Sequence, residues 1–189
     1  YVKIIASNKL DEFVIDKLNK KKAPIDIFGV GTNLVIGHSD SALDGVYKLV
    51  YSGRKNRLKI SEEKEKILLP GKKNILRFKK DEQYLCDVIC LDDEKNIDSA
   101  YLISNEKIIR NLDLYPKERL LKNVMKKGEI VIKNKGLDEI TKFSEERIKM
   151  LPHRYKKLKV SKPYKVYISK QLYELKNNII SKIKDNWTY

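Results

Sequence analysis

The stretch "IDIFGVGTNLVI", residues 25–36, sets a Gly-Val-Gly-Thr turn between two apolar runs in a chain otherwise crowded with lysine. Upstream of it, "YVKIIA" at 1–6 reads as a buried strand. "DEFVIDKLNKKKA" at 11–23 carries Phe13, Val14 and Leu18 at helical spacing behind an N-cap. "PIDIFGV" at 24–30 reads as a second buried strand. Strand, helix and strand within about 30 residues make a βαβ unit, with parallel strands and a right-handed connection. Ligands of such units bind beyond the carboxyl ends of the strands, which here are the loops "ASNKLDE" at 6–12 and "GVGTNL" at 29–34.

From Gly45 onward the texture changes. "GVYKLVYS" at 45–52, "RLKIS" at 57–61, "NILRFKK" at 74–80 and "YLCDVICL" at 84–91 are short strand-like pieces separated by charged turns with Gly53 and Pro70-Gly71. This middle stretch reads as antiparallel and largely β. After Pro116 the apolar spacing turns helical in "KERLLKNVMKKG" at 117–128, "LDEITKFSEERIKMLP" at 137–152 and "SKQLYELKNNIISKIKDNW" at 169–187. Ser169 and Gln171 open the last of these, behind a short extended "KPYKVYI". The expected fold class is α/β, α+β overall, in three regions: a βα region over 1–43, a mostly β region with a basic hairpin over 44–115, and a helical region over 116–189.

At 189 residues with 41% hydrophobic content the chain can bury a sizeable core. Forty-one Lys and Arg against 26 Asp and Glu leave a formal charge of +15, which suits anionic partners such as nucleic acid, acidic lipid or phosphorylated metabolites. Much of the excess is scattered lysine, whose commonest use is a solvated face. Cys86 and Cys90 lie four residues apart in a β-branched run, where alternation puts both on one face. Without nearby Cys or His they make a poor metal site, and they read as buried thiols in a reducing cytoplasm. No apolar run approaches the roughly 20 residues of a membrane span, so no membrane partner is expected. The opening "YVKIIASN" lacks an initiator Met and enters directly into a strand, which suggests a fragment of a longer protein.

Gly29 and Gly31 can take positive φ, letting consecutive N–H groups converge on an anion, with Thr32 adding a hydroxyl. The turn lacks the third glycine of a dinucleotide fingerprint, because position 34 is Leu, and no Walker lysine succeeds it. By itself it fits a tight corner as well as a phosphate cradle. The companion loop offers Ser7 and Asn8 as neutral donors, which favours the cradle. Farther on, Ser61, Lys66, Lys72, Lys73 and Arg77 gather around Pro70-Gly71, and cations on a rigid turn can clamp a pyrophosphate. His38 and His153 have no evident acid or nucleophile beside them and read as structural. No metal-spaced cluster emerges.

Taken together, "SNKLDEFVIDKL", "IDIFGVGTNLV", "ALDGVYKLV", "KISEEKEKILLPGKKNILRF" and "YKVYISKQLYELKNNI" resemble, in that order, the C-terminal part of nicotinate phosphoribosyltransferases. The resemblance covers nearly the whole chain and is densest over 4–78 and 150–180. It implies the C-terminal part of an irregular α/β barrel with an additional domain. It also implies an enzyme of NAD biosynthesis that joins nicotinate to phosphoribosyl pyrophosphate with coupled ATP hydrolysis. Mg²⁺ would be held through substrate phosphates, and the full-length protein would be a cytoplasmic homodimer.

The same likeness puts Ser7 and Asn8 by the ribose or its phosphate, and Gly29, Gly31, Thr32 and Asn33 on the 5′-phosphate. Lys66, Lys72 and Lys73 would face the pyrophosphate or ATP phosphates, with Lys48 a weaker candidate. The family usually has Gly where this chain has Asp44. Its phosphorylated histidine, its Asp-Ser-Gly strand and most of its nicotinate contacts would lie upstream of Tyr1, and neither His38 nor His153 matches that histidine. The chain alone is therefore expected to be catalytically silent. The alternatives are a nicotinamide or quinolinate phosphoribosyltransferase, or a basic RNA-binding module motivated by the charge and eleven tyrosines. No RNP, KH or zinc-finger pattern supports the last.

Overall fold

A computed structural model describes residues 1–37, 41–42, 45–61, 67–159 and 162–185. His38, Asp44 and Lys66 therefore lie outside the described residues. The chain divides into two compact units, Tyr1–Tyr47 and Lys48–Tyr189.

The first unit runs β1 (Ile5–Ser7), α1 (Glu12–Lys20), β2 (Ile27–Gly29) and α2 (Thr32–Ile36). β1 and β2 pair in parallel, with Ile5 opposite Ile27, Ala6 opposite Phe28 and Ser7 opposite Gly29, so the expected βαβ unit is present. Asp11 starts α1: its carboxylate accepts the Val14 N–H at 2.7 Å and satisfies one of the unpaired amides of the first turn. Asp26 accepts the Ile4 N–H at 2.8 Å and ties the entry of β2 to that of β1. Leu10, just past β1, is the buried residue of this unit among those described.

The second unit starts with a hairpin of β3 (Tyr51–Ser52) and β4 (Lys55–Asn56), turned by Gly53 and Arg54 at φ 56° and 58°. β5 (Lys73–Lys80) and β6 (Gln83–Leu91) form the long central hairpin. β7 (Ala100–Leu102), β8 (Ile108–Ile109) and β9 (Lys117–Arg119) come after it. Next are a small hairpin of β10 (Met125–Lys126) and β11 (Glu129–Ile130), α3 (Leu137–Lys149), β12 (Val166–Ser169) and α4 (Lys170–Asp185). Six strands make one mixed sheet in the order β8-β7-β12-β6-β5-β9, in which only β12 and β6 are parallel.

The core arises from alternation. Leu76 faces Val88 and Phe78 faces Cys86, and with Cys90, Ala100, Leu112, Ile97 and Tyr167 they form one buried cluster. The other face of the same hairpin pairs Arg77 with Asp87 through two hydrogen bonds of 2.8 and 2.7 Å, and the Tyr164 hydroxyl donates to the same carboxylate at 3.2 Å. Arg147 of α3 reaches the Tyr84 hydroxyl and forms a two-point ion pair with Glu118 of β9. Such forked pairs keep partly buried charge satisfied. Tyr101 stacks on Tyr173 of α4 with ring centroids 4.2 Å apart. These tyrosines serve packing.

Two expectations of local structure are corrected. "KERLLKNVMKKG" is not a helix: its first residues are β9, which satisfies the free edge of β5 through Leu76–Arg119 and Phe78–Lys117 pairing, and its end is β10. Lys127 and Gly128, at φ 52° and 85°, make the two-residue left-handed turn that suits a hairpin. Among the described residues "RLKIS" pairs with no strand, and of "GVYKLVYS" only Tyr51–Ser52 does. Within 44–115 the strand pairs β3–β4, β5–β6 and β7–β8 are antiparallel, as expected. The extended "KPYKVYI" from the following region supplies β12, which enters the middle of the sheet parallel to β6 and makes the whole sheet mixed. Of the helices expected over 11–23, 137–152 and 169–187, the described residues hold α1, α3 and α4, and the Ser169 hydroxyl accepts the Leu172 N–H at 3.2 Å at the start of α4.

Candidate functional site

The carboxyl ends of β1 and β2 lie side by side, and the loops that leave them enclose an open cleft of ≈ 720 Å³ lined by Ser7, Asn8, Lys9, Gly29, Gly31, Thr32 and Asn33. Six of these seven are the residues that sequence reasoning assigns to a phosphate. The structure brings all six together. Gly29 eases a close approach: a Cβ there would sit 3.3 Å from Ser7 Cβ, tight enough to push Ser7 by a few tenths of an ångström. Gly31 precedes α2 at φ −111° and ψ −102°, and a Cβ there would meet nothing within 4 Å.

The conformational reason for these glycines thus changes. Neither uses positive φ in the turn; the left-handed residues of the cleft are Asn8 and Lys9, at φ 82° and 48°. Asn33 donates its side-chain amide to the Leu10 carbonyl at 3.0 Å, which locks the second loop onto the first. Lys9 is the lining residue that sequence reasoning misses. Its signal is its position between Asn8 and Leu10, hidden in a chain where lysine is everywhere.

The expected phosphate lysines belong to the second unit. Lys73 is half-buried and donates to the carbonyls of Leu69 and Gly71 at 2.8 and 2.7 Å, and burial pulls its ammonium below the ordinary range. It braces the Pro70-Gly71 turn. Lys72 is exposed, with its ammonium 4.7 Å above the Tyr51 ring, and Lys48 is half-buried. Arg77 is committed to Asp87, which holds its guanidinium firmly charged. The turn itself requires glycine: Gly71 has φ 82°, and a Cβ would lie 2.9 Å from Leu91 Cδ2 and 3.0 Å from Asn56 Oδ1.

Cys86 and Cys90 are buried, unbridged thiols, as alternation implies. Burial pushes Cys86 up to about 12 and Cys90 up to about 11, so neither is a nucleophile at neutral pH. His153 is exposed in a short 3-10 turn. Among the described residues no group of three or more His, Cys, Asp or Glu could hold a metal ion, and no helix is long and apolar enough to cross a membrane.

Residues 72–176, more than half of the chain, match the family described as "Nicotinate phosphoribosyltransferase C-terminal domain". The nicotinate phosphoribosyltransferase of Dictyostelium discoideum is 31% identical over 93% of this chain and 32% of its own length. That of Caenorhabditis elegans is 32% identical over 90% of this chain and 32% of its own. That of Bacillus subtilis is 30% identical over 96% and 39% respectively. The crystal structure of human nicotinic acid phosphoribosyltransferase superposes with a TM-score of 0.70 at 23% identity, covering 95% of this chain and 33% of that one. The chain thus spans about a third of the length of the proteins it matches. They are named for nicotinate, and the nicotinamide, quinolinate and RNA-binding readings are not favoured. The mixed α/β fold, the matched C-terminal domain and the ordered sequence blocks lead to one conclusion: this chain belongs to the nicotinate phosphoribosyltransferase family, as a C-terminal portion.

Proposed function

We propose that the chain forms part of an enzyme of NAD biosynthesis that makes nicotinate mononucleotide and pyrophosphate from nicotinate and phosphoribosyl pyrophosphate, with ATP hydrolysis. The observation that carries this reading is the cleft of Ser7, Asn8, Gly29, Gly31, Thr32 and Asn33 at two adjacent parallel strand ends. Small residues let a phosphate approach the backbone, and hydroxyl and amide donors can share its dispersed charge. These residues would hold the 5′-phosphate and the ribose, fixing the anomeric carbon while the pyrophosphate leaves. Such transfer gains most from positioning and from stabilising the charge of the leaving group.

In this reading β1, α1, β2 and α2 are the last βα units of an irregular barrel. The catalytic histidine and the nicotinate contacts come from the remaining two-thirds of a protein of the relatives' length. Of the turn lysines Lys72 and Lys73, Lys72 is the proposed contact for pyrophosphate or ATP, because Lys73 spends donors on carbonyls. The candidate site's donors are neutral groups and lysines rather than carboxylates. They fit a phosphate, and a Mg²⁺ ion would be carried on substrate phosphates rather than by ligands of this chain. The full-length protein is proposed as a cytoplasmic homodimer.

The test is steady-state kinetics on the full-length protein containing these residues. Thr32→Ala should raise KM for phosphoribosyl pyrophosphate about tenfold, as expected for the loss of a hydrogen bond to a charged group, while KM for nicotinate stays near its wild-type value. An equal rise in both, or no change, would overturn the assignment. The 189-residue chain by itself should form no nicotinate mononucleotide, and robust turnover would show that its active site is complete.

A further inference from the structure

Lys9 is the only charged residue among the seven that line the cleft. Its ammonium makes no ion pair or hydrogen bond with any described residue. Of the acidic side chains in this unit, Asp11 caps α1, Asp16 pairs with Lys20 and Asp26 accepts the Ile4 N–H, while Glu12 lies in the first turn of α1 and forms no ion pair with Lys9. The Lys9 side chain is exposed, and the backbone next to it is held in place. Leu10 beside it is buried, and the Leu10 carbonyl is fastened by Asn33 of the opposite loop.

The backbone adds a second observation. Asn8 and Lys9 are consecutive left-handed residues, at φ 82° and 48°. Asparagine tolerates this region, but a lysine there is strained and glycine would be the unstrained choice. The loop keeps a cationic side chain at a position where backbone energy favours having none.

We propose that Lys9 is the cationic partner of a terminal phosphomonoester bound in the cleft, supplying the one full charge among neutral donors. This rests on reading the cleft as a phosphate site and deepens that reading. A phosphomonoester carries −1.5 to −2 charges near neutral pH, roughly the value for a phosphorylated side chain. Hydroxyl and amide donors share that charge without cancelling it, whereas an ammonium hydrogen bond is about twice as strong as a neutral one. Lys9 therefore makes the cleft select a phosphorylated sugar over the bare sugar.

The test is calorimetric titration of the intact protein with ribose 5-phosphate, with ribose as control, at two salt concentrations. Lys9→Met should bind ribose 5-phosphate about tenfold or more weakly and lose part of the salt dependence, while Lys9→Arg stays within a few-fold of wild type. Lys9→Gly relieves the left-handed strain. It should match or exceed the wild-type melting temperature yet bind as poorly as Lys9→Met, which separates charge from folding. If Lys9→Met and Lys9→Gly bind like wild type while Thr32→Ala does not, the role of Lys9 is overturned and the phosphate site stands. If Lys9→Arg is as poor as Lys9→Met, the charge is not what matters and the proposal fails. If the wild-type protein does not bind ribose 5-phosphate, both readings fall.

Discussion

Ser7 and Gly29 stand opposite each other at the carboxyl ends of β1 and β2, so close that a methyl group on Gly29 would come 3.3 Å from Ser7 Cβ. That approach starts the two loops of the cleft from neighbouring points. A side chain at either position alters the other.

Gly29→Ala should therefore move Ser7 by a few tenths of an ångström and weaken ribose 5-phosphate binding several-fold, at a stability cost of about 1 kcal/mol. Parallel binding and urea-unfolding measurements check this. A large loss of stability with unchanged affinity would mean that the contact serves packing alone.

Gly71→Ala meets a harder obstacle. Its φ of 82° disfavours any side chain, and the new Cβ would collide with Leu91 Cδ2 at 2.9 Å and Asn56 Oδ1 at 3.0 Å. The expected loss is about 2 kcal/mol or more, seen as a lower melting temperature. A neutral result would show that the Pro70-Gly71 turn rearranges without cost.

Glu94 provides a pH test. It is buried, accepts the Ser169 hydroxyl at 2.8 Å and the Leu91 N–H at 3.3 Å, and burial raises its carboxyl above the ordinary 4.5. In the pH window above 4.5 the folded protein then holds a proton that the unfolded chain releases, so stability falls as pH rises toward the folded value. Glu94→Gln keeps both acceptor bonds and removes the charge. The difference between wild type and variant in urea unfolding should widen in favour of the variant from pH 4.5 to pH 7, and a constant difference would show that Glu94 does not titrate abnormally.

Cys86 and Cys90 should be inert to a thiol reagent in the native protein at pH 8, since burial holds them at about 12 and about 11. Both should react once guanidinium unfolds the chain. Prompt labelling of the native protein would mean that the β5–β6 hairpin opens readily.

Much of the fold is legible in the sequence because it rests on local patterns. The alternation of Tyr84–Leu91 fixes the Cys face, Asp11 marks the start of α1, and apolar spacing marks α3 and α4. The expectations that fail all involve partners distant in the chain. Leu120, Leu121, Val124 and Met125 keep helical spacing, yet the unpaired edge of β5 draws Lys117–Arg119 into a strand, and a Lys-Gly turn folds residues 125–130 into a hairpin. Spacing within a segment carries no information about a free sheet edge elsewhere.

For the cleft, sequence alone determined the residue types at the two strand ends, because a βαβ pattern dictates where loops with small donors must lie. Only the tertiary structure decided how they act. The parallel register sets Ser7 against Gly29, the Asn33–Leu10 bond locks the loops, and the strained backbone falls on Asn8 and Lys9 rather than on the glycines. Register and φ come from contacts across more than twenty residues of chain, and the local order of amino acids does not encode such contacts.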